Sequence, residues 1–155
     1  MLRYAIKSDL PRIAEIYWSV WHETHGPLMP QGERDRRTLD FFLKKISCFA
    51  PCALVAERDG AIVGFSAWQG VMVGQLYVEP AWRGRGVAEE LSVATEAELV
   101  KSGVTEGELL CIKGNDRARR FWERLGWTHH DEIMEEAAGT AEGVPFWRMT
   151  KALSP

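Results

Sequence analysis

The residues best equipped for chemistry fall in one run, Gln75-Leu76-Tyr77-Val78-Glu79-Pro80-Ala81-Trp82-Arg83-Gly84-Arg85-Gly86-Val87-Ala88. Leu76 to Val78 reads as the end of a strand, Pro80 stops it, and two glycines set among arginines lead into a helix. The first amides of a helix have no partner within it. They converge on one spot, where the helix dipole also favours negative charge. Glycine leaves no Cβ in the way of an approaching phosphate, and Arg83 and Arg85 add positive charge. In physical terms this is a cradle for linked phosphates. A tight strand–helix connection would use the same residues, so both readings stand at this point. A dinucleotide fingerprint is excluded, because Glu89 stands where G-x-G-x-x-G needs its third glycine. A Walker loop is excluded too, because no Gly-Lys-Ser/Thr follows.

Other residues could carry chemistry. Asn115 suits a helix N-cap, and Ala118, Phe121 and Trp122 follow at the i, i+3 and i+4 spacing of one packed face. Arg117, Arg119 and Arg120 lie in the same segment, as a solvated basic face or as contacts for a phosphate. His22, Glu23 and His25 stand at the start of a Gly- and Pro-containing stretch, as exposed polar residues of a loop or as groups that accept a proton. His129 and His130 are adjacent, so a strand would point them to opposite faces. Cys48 and Cys52 are four apart, but no second ligand pair has zinc spacing. With Cys111 they make an odd number, which points to reduced thiols and a cytoplasmic location.

The elements that must position these residues are legible from hydrophobic period. Leu2 to Ile6 reads as a short strand. Ser8 or Asp9 then caps a helix with Pro11 in its first turn and Leu10, Ile13, Tyr17 and Val20 inward. His22 to Arg34 holds Gly26, Pro27, Pro30 and Gly32 and reads as a loop or broken turns. Arg36 to Ser47 is helical. Ala53 to Glu57 and Ala61 to Trp68 are strands joined at Asp59-Gly60, a strong hairpin signal. Met72 to Glu79 is a strand, Gly84 to Ser102 a helix with Ala88, Leu91, Thr95 and Leu99 inward, and Glu108 to Ile112 a buried strand. Asn115 to Leu125 is a helix, and Thr128 to Glu135 and Pro145 to Lys151 are strands around a mobile hairpin loop at Ala137 to Gly143. Hairpins beside strand–helix–strand crossovers predict an α/β (α+β) fold. Its sheet is mixed and mostly antiparallel, of about seven strands, with helices on both faces.

The 155 residues fit one domain, 1–155, with a core large enough to stand without staples. A formal net charge of −3 gives no pull toward nucleic acid or an acidic membrane surface, so neither is an expected partner. No apolar run approaches the roughly 20 residues of a membrane span. Trp18, Trp21, Trp68 and Trp147 suggest an aromatic interior, part of which could line a cleft.

Arg83-x-x-Gly86-x-Ala88, preceded by Leu76-Tyr77-Val78-x-Pro80, resembles the R/Q-x-x-G-x-G/A signature of the GNAT superfamily of N-acetyltransferases. Asn115-x-x-Ala118-x-x-Phe121-Trp122-x-x-x-Gly126-Trp127 is similar to that family's second signature, N-x-x-A-x-x-F-Y-x-x-x-G-F. The resemblance extends from Leu2 to about Lys151. It implies the GNAT acyl-CoA N-acyltransferase fold, acetyl-CoA as co-substrate without a metal, and an acceptor that is a small-molecule amine or a peptide. Homodimers are common in the family, so a homodimer is an expectation that comes with the resemblance.

Carried over residue by residue, the resemblance implies that main-chain groups of Leu76, Tyr77 and Val78 bond the pantetheine arm. Arg83, Gly84, Arg85, Gly86, Val87 and Ala88 would hold the pyrophosphate. Asn115, Phe121 and Trp122 would contact the same cofactor. The Val78 amide would polarise the thioester carbonyl. Glu23, His22 and His25, in the stretch that often borders the acceptor site in this family, are the candidate bases. The family's usual acid is a Tyr at the position of Trp122, and an indole is no acid near neutral pH. Water or Tyr77 would then protonate the leaving thiolate, or the chain would bind acyl-CoA without turning it over.

Overall fold

The computed structural model describes all 155 residues and contains one seven-stranded sheet. In chain order the elements are β1 (Leu2–Tyr4), α1 (Leu10–Thr24), α2 (Gln31–Arg36), α3 (Leu39–Phe49), β2 (Ala53–Arg58), β3 (Ala61–Gln69) and β4 (Met72–Val78). They continue with α4 (Val87–Lys101), β5 (Glu106–Ile112), α5 (Asp116–Arg124), β6 (Thr128–Ala137) and β7 (Thr140–Ala152). The sheet order is β1-β2-β3-β4-β5-β7-β6, and every neighbouring pair is antiparallel except β4 and β5. This is the mixed, mostly antiparallel architecture that the strand and helix pattern predicts.

Alternation along the central strands assigns two core faces. Ala53, Val55, Phe65 and Tyr77 pack with Ile13, Tyr17, Phe42 and Ile46 of α1 and α3. Leu54, Trp68 and Val78 pack with Val87, Leu91 and Leu99 of α4 on the opposite face, where a bulge in β3 also puts Val63. The hairpin turn forms at Asp59-Gly60, with φ of 53° and 77°, the left-handed pair that this dipeptide tolerates.

Four local readings change. Asp9 does not cap α1: its carboxylate accepts from the Ile6 amide at 2.8 Å and pairs with Arg3, which holds it below the usual carboxylate range. His22 and Glu23 belong to the last turn of α1 rather than to a loop, because the first breaker is Gly26-Pro27. Residues 31–36 form a short helix behind Pro30, and the next helix starts later, where Thr38 caps the Phe41 amide at 3.1 Å. Finally, Ala137 to Gly143 is largely strand, since β7 begins at Thr140 and Ala137 pairs with it.

Helix α4 is fixed to the sheet by a polar contact as well as apolar ones. Ser66 Oγ lies 2.7 Å from Thr95 Oγ1, both residues fully buried, and the Thr95 hydroxyl donates to Leu91 O at 2.7 Å. Ser66 is therefore the donor to Thr95. Thr95→Val strands the Ser66 hydroxyl and should cost about 1–3 kcal/mol in urea denaturation. The Ser66→Ala/Thr95→Val pair should cost less than the sum of the two single changes, because it leaves no orphaned group.

Candidate active site

The defining feature is a split in the sheet. β4 and β5 share a single register pair, Met72 with Glu108, after which they diverge. β4 stays paired with β3 as far as Gly64–Val78, and β5 stays paired with β7 through Ile112. The facing edges are left open, and a cleft of about 690 Å³ fills the gap. Phase along β4 follows from Glu79, whose amide donates to Val63 O at 2.8 Å. Main-chain groups of successive strand residues alternate in direction. Tyr77 therefore bonds toward β3, while Leu76 and Val78 present their N–H and C=O groups to the split. The expectation that all three main chains face the cleft is corrected for Tyr77: its backbone serves the sheet, and only its side chain reaches the cleft.

A bulge helps to set this path. Ala67 pairs with Gln75 but Trp68 with Val73, so Gly74 is the extra residue on β4. A Cβ there would lie 2.8 Å from the Phe49 ring, so the backbone approaches α3 closely only as glycine.

At one end of the cleft the connection from β4 enters α4. The first helical bond runs from the Glu90 amide to Gly86 O at 3.0 Å. The six successive amides of Gly84 to Glu89 have no hydrogen-bond partner. Gly84 and Gly86 sit at φ of 74° and 81°, and nothing lies within 4 Å of where a Cβ would be at either. Such a run of free amides at a helix start is an anion nest. Arginines surround it. Arg83 lines the cleft and ion-pairs with Glu23, whereas Arg85 turns outward to stack on Trp82 at 4.7 Å and does not line it. Arg117, Arg120 and Arg124 of α5 line the cleft with no carboxylate partner, while Arg119 is drawn off onto the Trp147 ring at 4.5 Å and toward Glu123. Glu89 is the acidic group on this rim.

Asn115, Phe121 and Trp122 border the cleft from α5. Asn115 Oδ1 caps the helix at the Ala118 amide, 3.2 Å away. Trp122 stands edge-on to Phe121 and Trp127, with ring centroids 5.0 and 5.9 Å away. Of the twelve residues that resemblance assigns to the cofactor, only Arg85 lies outside the cleft wall.

The other end is closed by α1. Val20, Thr24 and His25 line it together with Tyr77. The sequence leaves His25 open between an exposed loop residue and a group that accepts a proton. The structure stacks its ring on Trp21 at 6.1 Å and places it 5.9 Å from Tyr77. Burial, with a smaller push from the Arg37 cation, lowers its pKa to about 4. Burial also raises the Tyr77 phenol well above its ordinary value, so Tyr77 keeps its proton. Cys111, on the β5 side, is pushed up to about 12 by burial. His22 does not line the cleft, and its Nε2 is 2.7 Å from Arg37 O. Glu23 is exposed and engaged with Arg83. Trp21 and Trp68 are buried and Trp18 is 43% exposed; none of the four tryptophans singled out from sequence lines the cleft, whereas Trp82 and Trp122 do.

Arg37 links this end to the rest of the fold. Its guanidinium lies 4.8 Å from the Trp21 ring centroid and 2.7 Å from the Glu33 carboxylate. Glu33 is fully buried. Burial alone would raise its pKa, but the Ala138 amide at 2.7 Å and the Arg37 and Arg36 cations outweigh that and hold it down.

The model of the acetyltransferase (GNAT) domain family matches residues 51–153. The chain belongs to that family. Solved structures of the same fold cover nearly all of it, the α1–α3 region included. A GCN5-related N-acetyltransferase from Rhodopseudomonas palustris is 21% identical with a TM-score of 0.81, over 99% of this chain and 95% of that one. The yncA protein of Salmonella typhimurium, determined with its cofactor acetyl-CoA, is 21% identical with a TM-score of 0.76, over 100% and 94%. The PaiA N-acetyltransferase of Thermoplasma acidophilum, in complex with coenzyme A, is 18% identical with a TM-score of 0.75, over 98% of each chain. In the GNAT chain described here the split sheet and the free amides of Gly84 to Glu89 open onto one cleft.

The depressed His25 pKa makes a stability prediction. Unfolded His25 takes a proton near pH 6.5, and folded His25 takes it only near pH 4. The unfolded state binds more protons in that window, so stability must fall as pH drops through it. His25→Gln should flatten the pH 7.5-to-5 decline in unfolding free energy, measured by urea denaturation, by an amount on the order of 1–2 kcal/mol.

Proposed function

We propose that this chain transfers an acetyl group from acetyl-CoA to a primary amine of a small molecule or peptide, by direct attack within a ternary complex. One observation carries the reading: six unpaired amides, Gly84 to Glu89, open onto a cleft where two strands leave their edges unbonded. Acetyl-CoA would supply an activated thioester. Its pyrophosphate fits the nest and its surrounding arginines, and its amide-bearing arm fits the unbonded β4 edge as an added strand would. Arg83 would exchange Glu23 for phosphate. Arg117, Arg120 and Arg124 offer further positive charge for a polyanion on a chain whose net charge is −3.

The chain's own contribution is mostly orientation. The amide of Val78 points into the split and would donate to the oxygen on which negative charge develops. Direct attack is supported over an acyl-enzyme route by Cys111, the one thiol on the cleft wall, which stays protonated with its pKa near 12. Tyr77 holds its proton too firmly to act as an acid, so water is the proton source for the departing thiolate. Cytoplasmic location and a homodimer accompany the reading as proposals.

Trp122 motivates a second reading, in which the chain binds acyl-CoA without turnover. Trp122→Tyr separates the two. On the enzymatic reading, thiol release with acetyl-CoA and a broad panel of primary amines should stay within about threefold of the unaltered protein. A gain of a hundredfold or more from a silent protein would support the non-catalytic reading.

The cradle is tested by two substitutions at Gly86, where φ is 81°. Gly86→Ala introduces only backbone strain, about 1–2 kcal/mol. Gly86→Glu adds a carboxylate to the nest. Calorimetry should show CoA affinity about 100-fold weaker for Gly86→Glu and less than tenfold weaker for Gly86→Ala. Unchanged CoA affinity in a folded Gly86→Glu protein would remove the basis of the reading.

A further inference from the structure

We propose that His25 is the base that takes the proton from the attacking amine, its Nε2 lone pair held free for that purpose by Thr24; this rests on the acetyl-transfer reading above. The argument starts from one hydroxyl. Thr24 Oγ1 lies 2.8 Å from Val20 O and 2.8 Å from His25 Nδ1. A carbonyl oxygen only accepts, so the single hydroxyl proton must be on that side. The Thr24 oxygen can then only accept from His25, which places the imidazole proton on Nδ1. A neutral ring with Nδ1–H carries its lone pair on Nε2. No protein group bonds His25 Nε2, and the residue lines the cleft beside Tyr77, on the strand whose edge is open.

His22 shows the opposite arrangement. Its Nε2 faces Arg37 O at 2.7 Å and must donate, and the residue does not line the cleft. Two histidines three residues apart thus differ at Nε2, which carries a proton in His22 and a lone pair in His25, and only His25 offers a base to the site. Around His25 the titratable and charged groups are His22 on its own helix, Tyr77 on β4, Cys111 on β5 and the Arg37 cation between α2 and α3. Burial and Arg37 keep the ring neutral, and Tyr77 and Cys111 stay protonated, so none of them competes for the role.

The step balances without a further reactant. The neutral amine nitrogen bonds the thioester carbonyl carbon, and its N–H becomes strongly acidic as the bond forms. Nε2 accepts that proton. The carbon–sulfur bond breaks, its electron pair leaves on sulfur, and the thiolate takes a proton from water. The imidazolium returns its proton to solvent, leaving an amide and a free thiol. A base of low pKa suits this timing, because it accepts only once bond formation has begun, and it is not silenced by protonation at pH 5–7.

Long-range ¹⁵N–¹H spectra of the histidine-labelled protein read the tautomer directly, without turnover. They should show Nδ1–H at His25, and Thr24→Val should introduce the Nε2–H form. Thiol release with acetyl-CoA and ethanolamine, spermidine, glycinamide or an alanyl peptide supplies the kinetic arm. His25→Gln should lower kcat about 100-fold or more, with CoA affinity within threefold and, at pH 7.5 where His25 is neutral both folded and unfolded, an unchanged melting profile. Thr24→Val should lower kcat several-fold, and the wild-type kcat should show no acid limb near pH 6.5. An Nε2–H signal in the unaltered protein would overturn the proposal, as would a His25→Gln kcat within threefold of an active wild type. CoA binding with no thiol release across the panel would instead sink the acetyl-transfer reading, and the base with it.

Discussion

A sheet that parts between two central strands must give up hydrogen bonds in its interior, and the rest of this molecule is arranged around that loss. β4 and β5 run side by side for one register pair and then separate, each held by its other neighbour. Buried peptide groups without partners are expensive, so such a gap persists only if the groups stay wet or another chain of amides fills it. The bulge at Gly74 and the ring of Phe49 against it bend β4 on the near side. The seven pairs between β5 and β7 keep the far side straight. Helices α1 and α5 flank the opening, which shields an unpaired-edge surface that would otherwise invite association.

The two ends of the cleft are electrostatic opposites in purpose. At the α4 end, unpaired amides, a helix dipole and cleft-facing arginines accumulate positive potential on an otherwise mildly acidic chain. At the α1 end, burial among aromatic rings keeps ionisable groups neutral: His25 stays unprotonated, while Tyr77 and Cys111 keep their protons. An end that grips charge and an end that suppresses it suit a reaction whose one substrate is a polyanion and whose other must arrive as a neutral nucleophile.

Rigidity at the α1 end comes from a network rather than from one contact. Glu33 is fully buried yet tied to Arg36, Arg37 and the Ala138 amide, so α2 is joined to the β6–β7 turn. Gly32 and Gly139 pack against each other closely enough that a Cβ on Gly32 would lie 3.0 Å from Gly139 Cα. Arg37 then stacks on Trp21, the ring that also supports His25. A buried carboxylate stranded by loss of Arg37 would be costly, which makes this clasp a structural condition for the geometry of the site.

Much was legible in the sequence. Period-2 and period-3.6 patterns, Asp59-Gly60 and the two glycines ahead of α4 are local signals, and local chemistry determines them: strand pairs, helix faces and free helix-start amides follow from neighbours in the chain. Hence the sheet, the cradle and the cleft-lining part of α5 could be placed by residue number. What tertiary structure alone decided depends on contacts between distant segments. Whether Tyr77 bonds with its main chain or shows only its ring depends on the phase of pairing with β3. Whether Arg119 faces the cleft depends on competition from the ring of Trp147 on β7. The identity of the useful histidine rests on which carbonyl each hydroxyl and ring nitrogen meets. His22 and His25 look equivalent in sequence; Val20, Thr24 and Arg37 separate them, because a proton's position is set by its acceptor and acceptors are brought together only by the fold.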